Sequence, residues 1–150
     1  MGDELSELYQ EVILDHCRKP RHFHTLPAAN HTAEGKNPLC GDNYQVFLKV
    51  DGDVIADISF QGSGCCISKA SASMMAGQIK GKTAADARKA FELYHAMITT
   101  GAADEEALGK LCVFAGVHHF PMRVKCAILP WHAMLAALNG EASVSTESKS

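Results

Sequence analysis

Residues 62–73, with the sequence GSGCCISKASAS, join a glycine-containing loop to a helical pattern. The two glycines admit backbone conformations that other residues avoid. Apolar residues at Ile67, Ala70 and Met74 recur at helical spacing and predict a helix from about residue 66 to residue 79. Cys65 therefore lies at a helix N-terminus, where unpaired backbone N–H groups and the helix dipole favour a thiolate. The thiolate is the form of cysteine that binds metals and attacks sulfur.

The chain before this loop predicts a β-hairpin with one buried face. Apolar residues alternate with polar ones on both sides of an Asp-Gly-Asp turn at residues 51–53. Cys40 and Asp42 lie two residues apart where the chain enters the first strand, so an extended backbone points both side chains the same way. The hairpin is therefore expected to bring Cys40, Asp42 and Cys65 to one end of a small sheet.

Helical periodicity marks three further segments. The first begins near residue 3 and ends before Pro20, and the second begins at Thr83 and ends at Gly101. The last covers residues 124–138.

Cys126 lies off the apolar stripe of the last helix, about 200° from Val124 on a helical wheel. This position disfavours a purely structural, buried cysteine. Pro130 would clash with the carbonyl of residue 126 in a continuous helix, so a kink or a late helix start is expected near Cys126.

Length and charge limit the class of protein. The 150 residues suit one domain over residues 1–140, and the Ser-, Thr-, Glu- and Lys-rich residues 141–150 predict a disordered tail. Net charge is 14 minus 17, or −3, which gives no support for a nucleic-acid partner. Neither a signal peptide nor an apolar run of transmembrane length is recognisable, so we expect a soluble, cytoplasmic protein without a membrane partner.

Six cysteines in a reducing compartment point to metal binding or thiol chemistry rather than to a disulfide framework. Cys40, Cys65 and Cys126, together with the carboxylate of Asp42, make a tetrahedral set suited to zinc or to iron bound as a sulfide cluster. A structural zinc site would use the same ligand types. Such sites usually show paired Cys-x-x-Cys spacing, which the sequence lacks.

Motifs along nearly the whole chain match one family. They are LY at 8–9, DH at 15–16, PR at 20–21, NPLCGD at 37–42, GSGC at 62–65, IS at 67–68, ASAS at 70–73 and RVKCA at 123–127. With these motifs the chain resembles the SufU family, within the wider group of IscU-like and NifU N-terminal iron-sulfur cluster assembly proteins. The resemblance implies an α+β fold in which helices pack on a small antiparallel sheet of three strands, the third around residues 32–35. It also implies metal-ligand roles for Cys40, Asp42, Cys65 and Cys126.

Two features are similar to the SufU branch rather than to the scaffold branch of this group. Lys125 precedes the last cysteine where scaffold-type relatives carry histidine, and the segment before it is longer, over much of residues 101–120. The resemblance then implies a zinc-bound carrier that takes persulfide sulfur from a SufS-type cysteine desulfurase, a pyridoxal-phosphate enzyme. A downstream iron-sulfur scaffold or acceptor would receive the sulfur, and Arg123 aligns with a supporting basic position. We expect Cys40 to accept the sulfur, because a loop beside a strand moves more easily than a helix.

Two other functions remain open from the sequence. The same four residues would hold a [2Fe-2S] cluster on a scaffold protein, and a noncatalytic zinc-stabilised interaction module would also use them. Cys17 and Cys66 stand where the family has other residues. We interpret Cys66 as a residue without a ligand role and Cys17 as a surface thiol.

Overall fold

The structure, a computed structural model, describes residues 3–39 and 41–145. Helices and strands are mixed along the chain, which confirms the α+β fold. Their bounds are α1 Asp3–Arg18, β1 His31–Asn37, β2 Asp42–Asp51, β3 Val54–Ser63, α2 Cys66–Ile79, α3 Ala84–Thr100, α4 Glu105–Leu108, a 3-10 helix at Gly109–His119, α5 Pro121–Leu138 and β4 Ser143–Ser145.

The sheet has the strand order β3-β2-β1-β4. Strands β1, β2 and β3 are antiparallel, as predicted, and β1 contains the expected third strand. Strand β4 is an addition that pairs in parallel with Glu34 to Lys36 of β1. Ser143–Ser145, within the stretch predicted to be a disordered tail, have backbone partners on β1. Residues 146–150 of that prediction lie outside the described residues.

The hairpin of β2 and β3 turns tightly after Asp51, which pairs with Val54. Gly52 has a φ of 60°, the left-handed conformation that such turns need. Side chains on one face of the hairpin are fully buried against α2 and α5. The principal ones are Tyr44, Val46, Leu48, Ile58 and Phe60.

Other parts of the chain contact the sheet on both sides of the β1–β3 core. At the outer strand β3, the backbone N–H of Phe60 donates to the carbonyl of His22 at 2.9 Å, and Val54 forms a bridge with Thr83. On the other side, the backbone N–H of Glu34 in β1 donates to the carbonyl of Ala142 at 2.9 Å, just before the outer strand β4 begins.

Helix α5 passes through the core and is buried on nearly all sides from Cys126 to Ala137. It begins at Pro121, a residue favoured in the first helical turn, so of the two predicted alternatives, a kink or a late start near Cys126, the late start is wrong. Pro130 lies inside the helix. The next carbonyl after Cys126, that of Ala127, accepts hydrogen bonds from the hydroxyls of Ser71 at 2.6 Å and Tyr94 at 3.2 Å, which tie α2 and α3 to α5.

The long segment before α5 is helical rather than irregular. Asp104 caps α4 by accepting a hydrogen bond from the backbone N–H of Ala107 at 3.0 Å. The 3-10 helix follows and packs against α3 and α5. His118 and His119 lie at its end.

Helix α1 packs on α2, and a disulfide bond between Cys17 and Cys66 joins the two helices. The interpretation of Cys17 as a surface thiol is therefore wrong, since the packing of α1 places it against Cys66, with Cα atoms 5.1 Å apart. Among the described residues, the helices are too short or too polar to cross a lipid bilayer.

Candidate metal centre

Three of the predicted ligands converge at one end of the sheet. Asp42 is the first residue of β2, Cys65 precedes α2, and Cys126 lies in the first half of α5. One carboxylate oxygen and the two sulfur atoms all lie within 4.8 Å of one another. Residues from three distant segments thus form a compact cluster of donors with the chemistry of a zinc or iron site.

Cys65 occupies the N-cap position of α2, as the sequence predicts. Its backbone N–H donates to Oδ1 of Asp42 at 3.1 Å, which fixes the end of β2 to the start of the helix. Gly64 makes this approach possible. A Cβ atom at position 64 would lie 2.5 Å from Oδ1 of Asp42 and 2.6 Å from Oγ of Ser68, closer than such contacts allow.

The second carboxylate oxygen of Asp42 is a buried acceptor with no hydrogen-bond partner. Asp42 is 2% exposed, so bulk solvent hardly reaches its carboxylate. An unpaired buried carboxylate oxygen is costly, and a cation is the partner that would stabilise it. The Asp42 carboxylate and the two cysteine sulfurs together fit a divalent metal ion.

The two cysteines of the cluster differ in acidity. A hydrogen bond from the Cys126 thiol, supported by bonds from Ser68, lowers the pKa of Cys65 to about 5. The same contact raises the pKa of Cys126, because the Cys65 thiolate favours a proton on its neighbour. Cys65 is therefore the thiolate of the pair, and a bound cation would favour deprotonation of both.

Ser68 and Tyr44 support the cluster and were not predicted from the sequence. The hydroxyl of Ser68 donates to the carbonyl of Cys65 at 3.0 Å and lies 3.8 Å from the Cys65 sulfur. Tyr44 contacts Ser68 through its hydroxyl at 2.8 Å. The sequence signal that could have revealed Ser68 is a serine one helical turn after Cys65. An analysis of hydrophobic periodicity counts such a serine only as a polar residue that interrupts the apolar face.

Arg123 lies one turn before Cys126, with its guanidinium beside the sulfurs of Cys65 and Cys126. The negative charge of Cys65 raises the pKa of this guanidinium. Its side chain also lines a cavity of about 600 Å3 between α1, α2, the 3-10 helix and α5, which includes Phe120 and Cys66. The positively charged side chain of Arg123 thus lies between the cluster and an open, largely apolar cavity.

The other predicted site residue, Cys40, lies outside the described residues. It falls between Leu39, which is exposed, and Gly41, whose backbone N–H donates to the carbonyl of Asn37 at 2.8 Å. Cys112 is partly buried in the 3-10 helix and is not part of the cluster.

Comparison with known proteins identifies the family of this chain. The family described as NifU-like N terminal domain matches residues 8–127, a range that includes Cys40, Asp42, Cys65 and Cys126. The chain belongs to this family.

Two characterised relatives resemble it over most of their length. The zinc-dependent sulfurtransferase SufU of Bacillus subtilis is 40% identical over 131 residues, covering 87% of this chain and 88% of that protein. The iron-sulfur cluster assembly scaffold protein IscU of Streptococcus pyogenes is 37% identical over 142 residues, covering 93% and 88%. The resemblance to SufU inferred from the motifs is confirmed.

Solved structures share the fold. A candidate iron-sulfur cluster assembly scaffold protein for the SUF system from Fervidobacterium islandicum is 37% identical, with a TM-score of 0.83 over 91% of this chain and 99% of that one. The N-terminal part of a NifU-like protein from Brucella abortus is 24% identical with a TM-score of 0.82, over 90% and 94% of the two chains, and supports the fold alone.

Proposed function

We propose that this protein acts in iron-sulfur cluster assembly as a zinc-bound sulfur acceptor, which takes persulfide sulfur from a SufS-type cysteine desulfurase. The observation that carries the proposal is the unpaired, buried Oδ2 of Asp42 beside the sulfurs of Cys65 and Cys126. Zinc accepts this mixture of carboxylate and thiolates. The name of the Bacillus subtilis relative supports zinc and sulfur transfer as the chemistry.

The metal-binding residues would be Asp42, Cys65 and Cys126, with Cys40 as fourth ligand. Zinc would keep the thiols deprotonated and would take no part in electron transfer. Asp42 receives a hydrogen bond from the backbone of Cys65, so it can hold its place while a thiolate leaves.

Sulfur acceptance follows from thiol chemistry. A thiolate of this protein attacks the outer sulfur of the donor persulfide, a new S–S bond forms, and the donor cysteine leaves as a thiolate. We assign the attack to Cys40, since Cys65 and Cys126 are fixed by helices α2 and α5. Arg123, which already contacts two sulfurs, would stabilise the anionic persulfide.

A docking surface for the desulfurase lies next to Arg123. Phe120 is 60% exposed and Met122 is 51% exposed, on either side of the first residue of α5. Exposed apolar side chains beside a functional site are typical of protein interfaces. We expect Met122→Ser to weaken stimulation of the desulfurase while leaving zinc binding unchanged.

The test is to mix the purified protein with the desulfurase of the same organism and cysteine, and to locate added sulfur by mass spectrometry of peptides. The expected result is a persulfide on Cys40 and faster cysteine turnover. Cys40→Ser should abolish both, and Cys112→Ser, a thiol remote from the cluster, should change neither. Stimulation that survives in Cys40→Ser but is lost in Cys126→Ser would overturn the assignment of the acceptor.

Assembly of a [2Fe-2S] cluster is the second candidate, because the same donor cluster suits iron and the Streptococcus pyogenes relative is named a scaffold protein. It predicts visible absorbance after anaerobic reconstitution and transfer of the cluster to an apo-acceptor. A zinc-stabilised interaction module without sulfur chemistry predicts unfolding on chelation and no change in desulfurase turnover.

A further inference from the structure

The disulfide between Cys17 and Cys66 lies directly beside the candidate metal centre. Cys66 is the first residue of α2 and follows the ligand Cys65, whereas Cys17 lies in the last turn of α1. Cys66 is exposed, so thiols and persulfides of other molecules have access to this bond. It also lines the same cavity as Arg123, the residue that contacts the sulfurs of the cluster.

Contacts other than the disulfide hold the two helices together at this point. Nδ1 of His16 lies 2.7 Å from Oγ of Ser73, and the backbone N–H of Arg21 donates to the same oxygen at 2.9 Å. His16 precedes Cys17 in the sequence and Arg21 follows it. Residues on both sides of Cys17 are therefore bonded to Ser73 in the middle of α2. After reduction of the disulfide, Cys17 would therefore stay near Cys66.

We propose that Cys17 and Cys66 form a redox pair that converts persulfide sulfur into sulfide, an activity that rests on the sulfur acceptance proposed above. In the first step, the reduced Cys66 attacks the outer sulfur of a persulfide carried by the acceptor cysteine or by a donor protein. A new S–S bond forms at Cys66, the old S–S bond breaks, and the donor cysteine leaves as a thiolate.

In the second step, Cys17 attacks the Cys66 sulfur. The Cys17–Cys66 bond forms, the bond to the outer sulfur breaks, and that sulfur leaves with the electron pair and the proton of Cys17 as hydrosulfide. The outer sulfur gains two electrons, and the two thiols supply them by becoming a disulfide. The structure contains the product of this step, which establishes that the two sulfur atoms reach each other.

A dithiol reductant completes the cycle. It exchanges with the exposed disulfide, restores the thiols of Cys17 and Cys66, and is itself oxidised to a disulfide. Sulfide is the oxidation state of sulfur in iron-sulfur clusters, so the pair would deliver sulfur in the form that cluster assembly consumes.

The test follows sulfide and the disulfide together in a single turnover. The full-length protein is reduced with dithiothreitol, desalted without air, and treated with glutathione persulfide in one sample and with desulfurase plus cysteine in another. We expect sulfide to appear together with an equal amount of the Cys17–Cys66 disulfide, measured by peptide mass spectrometry. Protein that is oxidised beforehand should release no sulfide. This control compares two redox states of the wild-type protein and needs no substitution.

Variants separate the two steps. Cys17→Ser should retain a persulfide on Cys66 and release sulfide at the rate of a sample without protein, and Cys66→Ser should form no disulfide. Cys112→Ser should behave as the wild type. Circular dichroism would verify that each variant is folded.

The inference would be overturned by wild-type sulfide release from Cys17→Ser, or by sulfide release from the wild type without formation of the disulfide. Sulfur that is loaded by the desulfurase but never released as sulfide would also overturn it, while leaving the proposed function intact. Conversely, sulfide and disulfide formed from glutathione persulfide but not with the desulfurase would support the redox pair and contradict the desulfurase as sulfur donor.

Discussion

Gly64 controls how closely Asp42 approaches α2. A methyl group at this position would overlap the Asp42 carboxylate, Oγ of Ser68 and the hydroxyl of Tyr44, all at less than 3.0 Å. We therefore expect Gly64→Ala to displace the carboxylate and to lower zinc affinity by about 10- to 100-fold, the usual effect of disturbing residues that orient metal ligands. Competition with a chromogenic chelator measures this affinity.

Gly77→Ala is the matched control for this substitution. Gly77 lies in α2, and an added methyl group there meets no atom within 4 Å. Alanine is also the better helix former, so the variant should bind zinc as the wild type does. Equal affinities for Gly64→Ala and Gly77→Ala would show that Asp42 does not contribute to binding.

Individual site residues were predictable to different degrees. Asp42 and Cys65 follow from local patterns, since a strand start and a glycine loop before a helix fix where their side chains go. Cys126 was predicted to lie off the buried stripe, yet it is fully buried, because α5 is enclosed by other elements on nearly every side. A helical wheel cannot reveal burial on all sides, since it assumes one apolar face and one solvent-exposed face.

Packing of α5 on α3 places a partly buried histidine between helices. The His132 ring lies 5.2 Å from that of Phe91, and burial, with a smaller contribution from His95, lowers the pKa of His132. The unfolded chain therefore binds a proton at this histidine more readily than the folded chain, and stability falls as the pH drops below about 6.5. We expect His132→Gln to reduce this acid-induced loss, measured by urea unfolding at pH 7.5 and pH 5.

His24→Gln provides the comparison for that measurement. His24 is exposed and bonds to the adjacent backbone carbonyl of Thr25 at 2.7 Å. Its replacement should leave the pH dependence of unfolding as it is in the wild type. The explanation by burial fails if both variants lose stability in acid to the same extent as the wild type.

Strands β1 and β4 could not be predicted from the residues of each strand alone. The sequence of β1, HTAEGKN, has no apolar alternation, and the strand was expected only from the family resemblance. Its burial comes from α5, because the missing side chain of Gly35 lets Ala133 and Leu129 approach closely. Strand β4 is short and polar, and its pairing depends on β1 rather than on its own residues.

At the level of the whole molecule, the Cys17–Cys66 bond closes a loop between residues 49 positions apart. Cross-linking a loop of this length restricts the unfolded chain and typically stabilises a protein by about 2–4 kcal/mol. We expect the oxidised protein to exceed the reduced protein in unfolding free energy by about this amount, measured by urea denaturation of each form.

A cysteine variant checks that the difference arises from this bond. In Cys17→Ser, addition of a dithiol should leave the stability unchanged, whereas Cys112→Ser should retain the full redox-dependent difference. A similar dependence on reductant in both variants would assign the effect to another thiol. The pairing itself was not predictable, since six cysteines allow many combinations and only the packing of α1 on α2 selects this one.

The way the sheet ends on each side bears on how this protein behaves at high concentration. An uncovered outer strand is a template on which a second molecule can add its own strand and start aggregation. Here His22 and Thr83 engage two positions along β3, and β4 occupies the backbone of Glu34 to Lys36 of β1. Intermolecular strand addition at these positions would first have to displace those segments. The outer strand on the β1 side is then β4, which has only three residues, and so short a strand is a poor template for a second molecule.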